Sequence, residues 1–244
     1  MKTLVIIPSR LSATRLPGKP LLKINGLSII SHVFNKAVET NIGDVYVAAE
    51  DQKIVDDVHL NGGKAILTKN NHKTGTDRIY EALKKIGKSN VELIMNIQGD
   101  EPLINIEDVK NLYYQMIKSN SELGTLGAKI QNKDIFDKQN IVKVVTGESL
   151  ESSQFPEAIN FYRHSNNLIE NTYHHLGIYC YRLKTLEKFV SLEQSQNEIK
   201  NNLEQLRALD NNIKINVAAA KTSSIGVDTK EDFVAIKKIM EYKS

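Results

Sequence analysis

The 244-residue chain contains a single cysteine, Cys180, so no intramolecular disulfide can staple it. That cysteine lies between tyrosines in an apolar stretch, where a buried, inert thiol in a reducing compartment is expected. Long hydrophobic runs are also missing. The apolar segment after Met1-Lys2-Thr3 is only Leu4-Val5-Ile6-Ile7 before Pro8, too short for a signal-peptide core, and nothing approaches the ~18 apolar residues of a membrane span. A cytoplasmic protein with no membrane partner is the expectation. Charge of one sign is equally scarce: 32 basic and 29 acidic residues leave a net +3, with no run concentrating the excess. Nucleic acid as the main partner gains no support from this balance, whereas a phosphate-bearing small ligand is compatible with it. Internal repeats and a Pro/Gly-rich linker are absent too.

What is present is an ordinary globular mixture, 41% hydrophobic and 25% charged. At ~150 residues per domain, the length predicts one large domain or two packed ones. Short β-branched runs alternate with amphipathic stretches, as a parallel sheet with crossover helices requires. Strands are expected at Leu4–Ile7, Val45–Ala49, Ala65–Leu67 and Leu93–Ile97. Helices are expected at Ser28–Glu39, with Ile29, Ile30, Val33, Phe34 and Val38 on the inner face, and at Asp51–Leu60, Asp77–Ile86 and Ile106–Lys118. This predicts an α/β fold with a doubly wound, mostly parallel sheet. From Gly124 onward strands dominate, at Thr125–Ile130, Ile141–Val145, Ala158–Phe161 and His175–Tyr181, predicting a mixed-sheet extension. Helices at Leu183–Val190 and Asn202–Asp210, a strand at Ile213–Ala218 and a helix at Thr229–Tyr242 complete the chain, with polar Ser191–Asn202 read as a surface loop.

Four segments carry chemistry. The loop after the first strand, Pro8-Ser9-Arg10-Leu11-Ser12-Ala13-Thr14-Arg15-Leu16-Pro17-Gly18-Lys19-Pro20, opens at a strand's carboxyl end, where open α/β sheets bind ligands. Its hydroxyls, its glycine and the cations Arg10, Arg15 and Lys19 make a cradle for a polyphosphate. Neither the Walker A spacing nor the dinucleotide fingerprint occurs there. The second segment, His72-Lys73-Thr74-Gly75-Thr76-Asp77-Arg78, offers Thr76 or Asp77 as a helix cap. Arg78 in the first turn opposes the helix dipole, which favours a ligand role over a stabilising one. In the third, Asn96-Ile97-Gln98-Gly99-Asp100-Glu101-Pro102, Gln98 can pair with a base edge and Asp100 is a hard oxygen ligand suited to magnesium. Near the end, Asp228 in Gly226-Val227-Asp228-Thr229 is either a helix N-cap, with Glu231 completing a capping box, or the second half of a metal site.

The string Arg15-Leu16-Pro17-Gly18-Lys19-Pro20 resembles the signature of sugar nucleotidyltransferases. Together with Thr74-Gly75-Thr76-Asp77-Arg78, Asn96 to Pro102, His175-Leu176-Gly177-Ile178-Tyr179, Leu203-Glu204-Gln205-Leu206-Arg207 and Gly226 to Thr229, it resembles the 3-deoxy-manno-octulosonate cytidylyltransferases (CMP-KDO synthetases) over nearly the whole chain. The resemblance implies a nucleotide-diphospho-sugar transferase-like fold in which roughly 1–122 bind the nucleotide, 123–218 bind sugar and build a homodimer, and 219–244 return. It implies CTP held by Ser9, Arg10, Arg15, Lys19, Thr74, Gly75, Arg78 and Gln98. Magnesium would sit on Asp100 and Asp228, and the acidic sugar on Gln98, Arg163, His175, Tyr179, Glu204 and Gln205. Lys19, Arg10, Asp100 and Asp228 would carry catalysis: attack of the sugar's anomeric hydroxyl on the α-phosphorus of CTP, releasing pyrophosphate, for lipopolysaccharide assembly. One stretch departs from the pattern: Tyr162 replaces the usual serine before Arg163, and no Ile-Pro follows the Tyr162–Ser165 segment. A related acidic sugar (8-amino-KDO or a nonulosonate) and a catalytically silent CTP-binding module therefore stay as alternatives.

Overall fold

In the computed structural model, residues 2–12, 15–130, 141–164, 169–223 and 226–242 are described; Ser165, the end of the altered segment, lies outside them. The chain forms two compact units, Met1–Ile106 with Ser224–Ser244, and Glu107–Ser223. These boundaries fall earlier and later than 122/123 and 218/219.

The first unit is a parallel α/β layer. Strand β1 (Lys2–Ser9) leads through a small hairpin, β2 (Lys23–Ile24) and β3 (Leu27–Ser28), into helix α1 (Ile29–Glu39). Strand β4 (Asp44–Ala49), helix α2 (Gln52–Leu60), strand β5 (Ala65–Leu67), helix α3 (Gly75–Ile86) and strand β6 (Val91–Asn96) follow. The strands run parallel in the order β6-β1-β4-β5, with Ile6 opposite Tyr46 and Asn96. Leu4, Val5, Ile6 and Ile7 are all fully buried, which is why β1 reads as an unbroken apolar run. Helix α1 turns Ile29, Ile30, Val33 and Phe34 inward as expected, but Val38 is 50% exposed and Ala37 takes the inner place, one two-turn step from Ile30. The helix Lys230–Tyr242 belongs to this unit, packing Ile236, Phe233 and Met240 with Ile24, Ile29 and Val227.

The second unit is the mixed sheet predicted from Gly124 onward. Helix α4 (Ile106–Lys118) belongs with it because its side chains are satisfied there: Asp108 accepts from the Lys221 and Thr222 amides, and Leu112 and Met116 press on Gly124. Strand β7 (Leu123–Ala128) pairs in parallel with β11 (Ile215–Ala220) and antiparallel with β10 (Thr172–Arg182). Strand β8 (Lys143–Thr146) pairs antiparallel with both β10 and β9 (Ala158–Tyr162). Strand β11 starts later than Ile213 because the Ile213 amide closes the preceding turn on Ala208.

The polar stretch Ser191–Asn202 is not simply a loop. Ser195 and Glu198 form a reciprocal capping box that starts a helix at Gln196–Asn201, and Glu198 is buried against Arg207 at 2.6 Å. The next helix accordingly begins at Leu206, not Asn202. Cys180 is fully buried, and burial pushes its thiol up to about 12, as expected for an inert thiol.

Candidate functional site

Strand β1 stops at Ser9, and the loop beyond it is folded by its own backbone. Gly18 adopts φ 71°, a left-handed conformation that suits glycine, and its amide bonds the Leu11 carbonyl at 3.1 Å. One turn of 3₁₀ helix, Lys19–Leu21, follows and aims Lys19 inward. The Lys19 ammonium donates to Asp100 Oδ2 at 2.5 Å, to the Val227 carbonyl at 2.8 Å and to Asp228 Oδ1 at 3.3 Å. Arg15 pairs with the other oxygen of Asp228 at 3.0 Å. Two aspartates far apart in sequence thus meet at one cation.

Their approach is built into the scaffold. The Val227 amide bonds the Asp100 carbonyl at 2.8 Å, and the fully buried Val227 side chain is pinned in the cluster of Ile24, Ile29 and Ile236. Asp228 does not cap the last helix, and Glu231 completes no box with it. Thr229 and Asp232 do the capping instead: the Thr229 amide donates to Asp232 Oδ2, and the Asp232 amide donates to Thr229 Oγ1. Asp228 therefore points its carboxylate at cations rather than at backbone.

On the opposite wall, helix α3 begins at Gly75 because Thr74, not Thr76 or Asp77, is its cap, accepting the Asp77 amide at 3.2 Å. Arg78 lines the pocket, but its guanidinium is engaged within the protein. It donates to Thr68 Oγ1 at 2.7 Å and the Lys69 carbonyl at 2.9 Å, and it pairs with Glu50 at 3.3 Å. Burial lowers its pKa while Glu50 opposes that shift, so its place in the first turn reflects internal compensation at least as much as a ligand. Gly99 forms the floor: a Cβ there would stand 2.7 Å from the Pro8 carbonyl, so only glycine fits without backbone movement.

The resulting pocket is lined by Ser9, Arg10, Arg15 and Lys19 from the first loop, by Thr74, Gly75 and Arg78 from α3, and by Gln98, Asp100 and Asp228. Every residue expected to hold the nucleotide or carry catalysis is among them. His72 and Lys73 also line it and were missed. His72 is hydrogen-bonded to Glu81, whose carboxyl burial would raise but whose bonds from Lys85, His72 and the Lys69 amide bring down to about 2. Glu50 was missed as well, although it directly follows a parallel strand, where ligand-facing residues gather.

Of the residues expected to hold the sugar, Gln98 lines this pocket, and Arg163, His175, Tyr179, Glu204 and Gln205 belong to the second unit. Between Leu176 and Tyr179 the register of β10 against β7 shifts, and the Thr125 hydroxyl fills the irregularity, contacting the Leu176 and Ile178 carbonyls and His175 Nε2 at 2.9 Å. His175 and Tyr179 share a face, with ring centroids 5.5 Å apart, and Phe161 meets His175 edge-on at 5.0 Å. Burial holds the His175 imidazole down to about 3, with His174 adding to the shift, so it is neutral and contributes hydrogen bonding rather than charge. Burial also raises the Tyr179 phenol well above its ordinary range, helped by Tyr181 and Glu204. Gln205 is buried, and Arg163 donates to the Asn202 carbonyl at 3.3 Å.

The donor set near Asp100 and Asp228 is compatible with magnesium. Among the described residues no cluster of three or more His, Cys, Asp or Glu could enclose a metal. Two carboxylates converging where a cation already sits match an ion that keeps most of its ligands from substrate phosphates and water. No helix among the described residues is long and apolar enough to cross a membrane.

The chain resembles known proteins over nearly its whole length. The family model for cytidylyltransferases matches residues 4–215. The 3-deoxy-manno-octulosonate cytidylyltransferase of Thermodesulfovibrio yellowstonii is 40% identical over 98% of both chains, and that of Afipia carboxidovorans is 40% identical over 98% of this chain and 96% of its own. A solved CMP:2-keto-3-deoxy-manno-octonic acid synthetase complexed with CTP superposes over 100% of both chains with a TM-score of 0.89 at 33% identity. A UDP-glucose pyrophosphorylase, at 15% identity and TM-score 0.72 over 100% of both chains, shares the fold. The chain belongs to the cytidylyltransferase family, among its 3-deoxy-manno-octulosonate cytidylyltransferases.

Proposed function

We propose that this chain is a nucleotidyltransferase that moves CMP from CTP to the anomeric hydroxyl of 3-deoxy-D-manno-octulosonate, giving CMP-KDO and pyrophosphate for lipopolysaccharide assembly. The observation that carries the reading is the meeting of Asp100, Asp228 and Lys19 on one wall of a cation-lined pocket at the carboxyl end of a parallel sheet.

The chain's residues divide the work by position. Arg10, Arg15 and Lys19 neutralise the triphosphate, and the loop's backbone conformation fixes where they stand. Thr74, Gly75 and Gln98 lie along the nucleotide, where Gln98 offers both a donor and an acceptor. Asp100 and Asp228 would hold magnesium, which supplies neutralisation of phosphate charge and acidifies a hydroxyl next to it. The sugar's hydroxyl oxygen forms a bond to the α-phosphorus and gives up its proton to solvent, the bond between the α-phosphorus and the bridging oxygen breaks, and pyrophosphate leaves. Lys19 and Arg10 stabilise the negative charge that grows on the leaving pyrophosphate. No side chain is needed as a dedicated base; positioning and charge carry the rate. Arg163, His175, Tyr179, Glu204 and Gln205 are assigned to the acidic sugar. A cytoplasmic homodimer completes the reading.

A pyrophosphate-release assay with magnesium, each of the four nucleoside triphosphates, and KDO, 8-amino-KDO and sialic acid tests it. Release is expected with CTP and KDO. Release with CTP and 8-amino-KDO alone would move the substrate, and none with CTP and any octulosonate would reject the reading.

A further inference from the structure

Glu50 has no part in the reaction outlined above, yet it joins two walls of the pocket. It directly follows β4, and its amide donates to the Ser9 carbonyl at 3.2 Å. One carboxylate oxygen accepts the Ser12 amide, in the middle of the first loop, at 3.0 Å. The other meets the guanidinium of Arg78 on α3 at 3.3 Å, with the two side chains only 9% and 5% exposed. Arg78 needs this partner, because burial disfavours its charge and Arg10 adds to that shift.

We propose that Glu50 is a positioning residue for CTP: one carboxylate sets the first loop against Arg78, so that Arg10, Arg15 and Lys19 stand ready for the triphosphate before it arrives. A loop fixed in advance loses less freedom on binding, so its cations act at a lower cost in entropy. The inference rests on the CTP reading, but its structural half does not.

The sign of the effect separates positioning from charge. Removing a carboxylate from a pocket that binds a polyanion makes that pocket more positive, and charge alone would lower the KM for CTP. Loss of positioning raises it. We expect E50A and E50Q to raise the KM for CTP by about tenfold or more, with the sugar KM unchanged within about twofold and E50D intermediate. An unchanged or lower KM for CTP in folded E50Q, with turnover intact, overturns the proposal while leaving the cytidylyltransferase reading standing. A second measurement needs neither variant nor substrate: hydrogen exchange of the ligand-free wild-type protein. Ser12 is surface-exposed, so its amide should be slowed only by the bond to Glu50; exchange at the rate of an unstructured loop would overturn the tether.

Discussion

The charges at the pocket mouth of the first unit and the buried charges of the second are handled in opposite ways, although Glu50 and Arg78 form a buried pair in the first unit too. In the first, Lys19, Arg15, Asp100 and Asp228 pair at a pocket mouth, where the carboxylate side chains remain 30% and 37% exposed. In the second, Glu198 and Arg207 pair at 4% and 3% exposure, and His174 and His175 are held neutral by burial. Pairs of the first kind can exchange partners with an incoming ion or phosphate without exposing a core. Pairs of the second kind are fixed, because separating them strands a charge in a low dielectric.

The contrast is broken most severely at Asp100 and Asp228. Asp100→Asn or Asp228→Asn should lower turnover about a hundredfold or more, the scale on which a preorganised charge acts on a transition state, while changing the CTP dissociation constant far less. Pyrophosphate release and calorimetry on the same samples check this, and near-normal turnover would remove the metal role. The second unit should respond in stability instead. Glu198→Ala removes the carboxylate that pairs with the buried Arg207 guanidinium and should cost about 3–5 kcal/mol, read by urea unfolding, with no change in the KM for CTP.

A smaller effect comes with pH. His174 is held to about 4, by burial first and Lys143 second, and His175 to about 3. Imidazoles of the unfolded chain titrate near ~6.5 and are charged below it while the folded ones stay neutral. Stability is therefore complete above about pH 6.5 and falls on acidification, by up to about 1.4 kcal/mol per pH unit for each histidine. Unfolding midpoints between pH 7 and 5 should show that slope, and His174→Gln should flatten it. The least effect is expected at the exposed pair of Arg15 with Asp228: Arg15→Ala should change stability by less than about 0.5 kcal/mol while raising the KM for CTP, both measurable on one preparation.

How much of this could be read from the chain follows from the range of the forces involved. Strand β1 and helix α4 were legible because their signals, an unbroken apolar run and a 3.6-residue period, are local. The residues that the family resemblance assigns to the nucleotide all line one pocket. Which of two local options would win was not legible: Asp228 had the form of a cap, but Asp232 sits one residue beyond Glu231 and takes the Thr229 amide. The internal bonds of Arg78 were not legible, because its partners Thr68 and Glu50 arrive from other elements. The helix at Gln196–Asn201 did carry a local signal, Ser195-x-x-Glu198, masked by the polar composition around it.

The most direct test of the reaction follows one oxygen atom. KDO carrying oxygen-18 at its anomeric hydroxyl is incubated with unlabelled CTP, magnesium and the protein, and both products are weighed by mass spectrometry. Attack of that hydroxyl on the α-phosphorus predicts the label in CMP-KDO and unlabelled pyrophosphate. Unlabelled CMP-KDO, or label in the pyrophosphate, would contradict it.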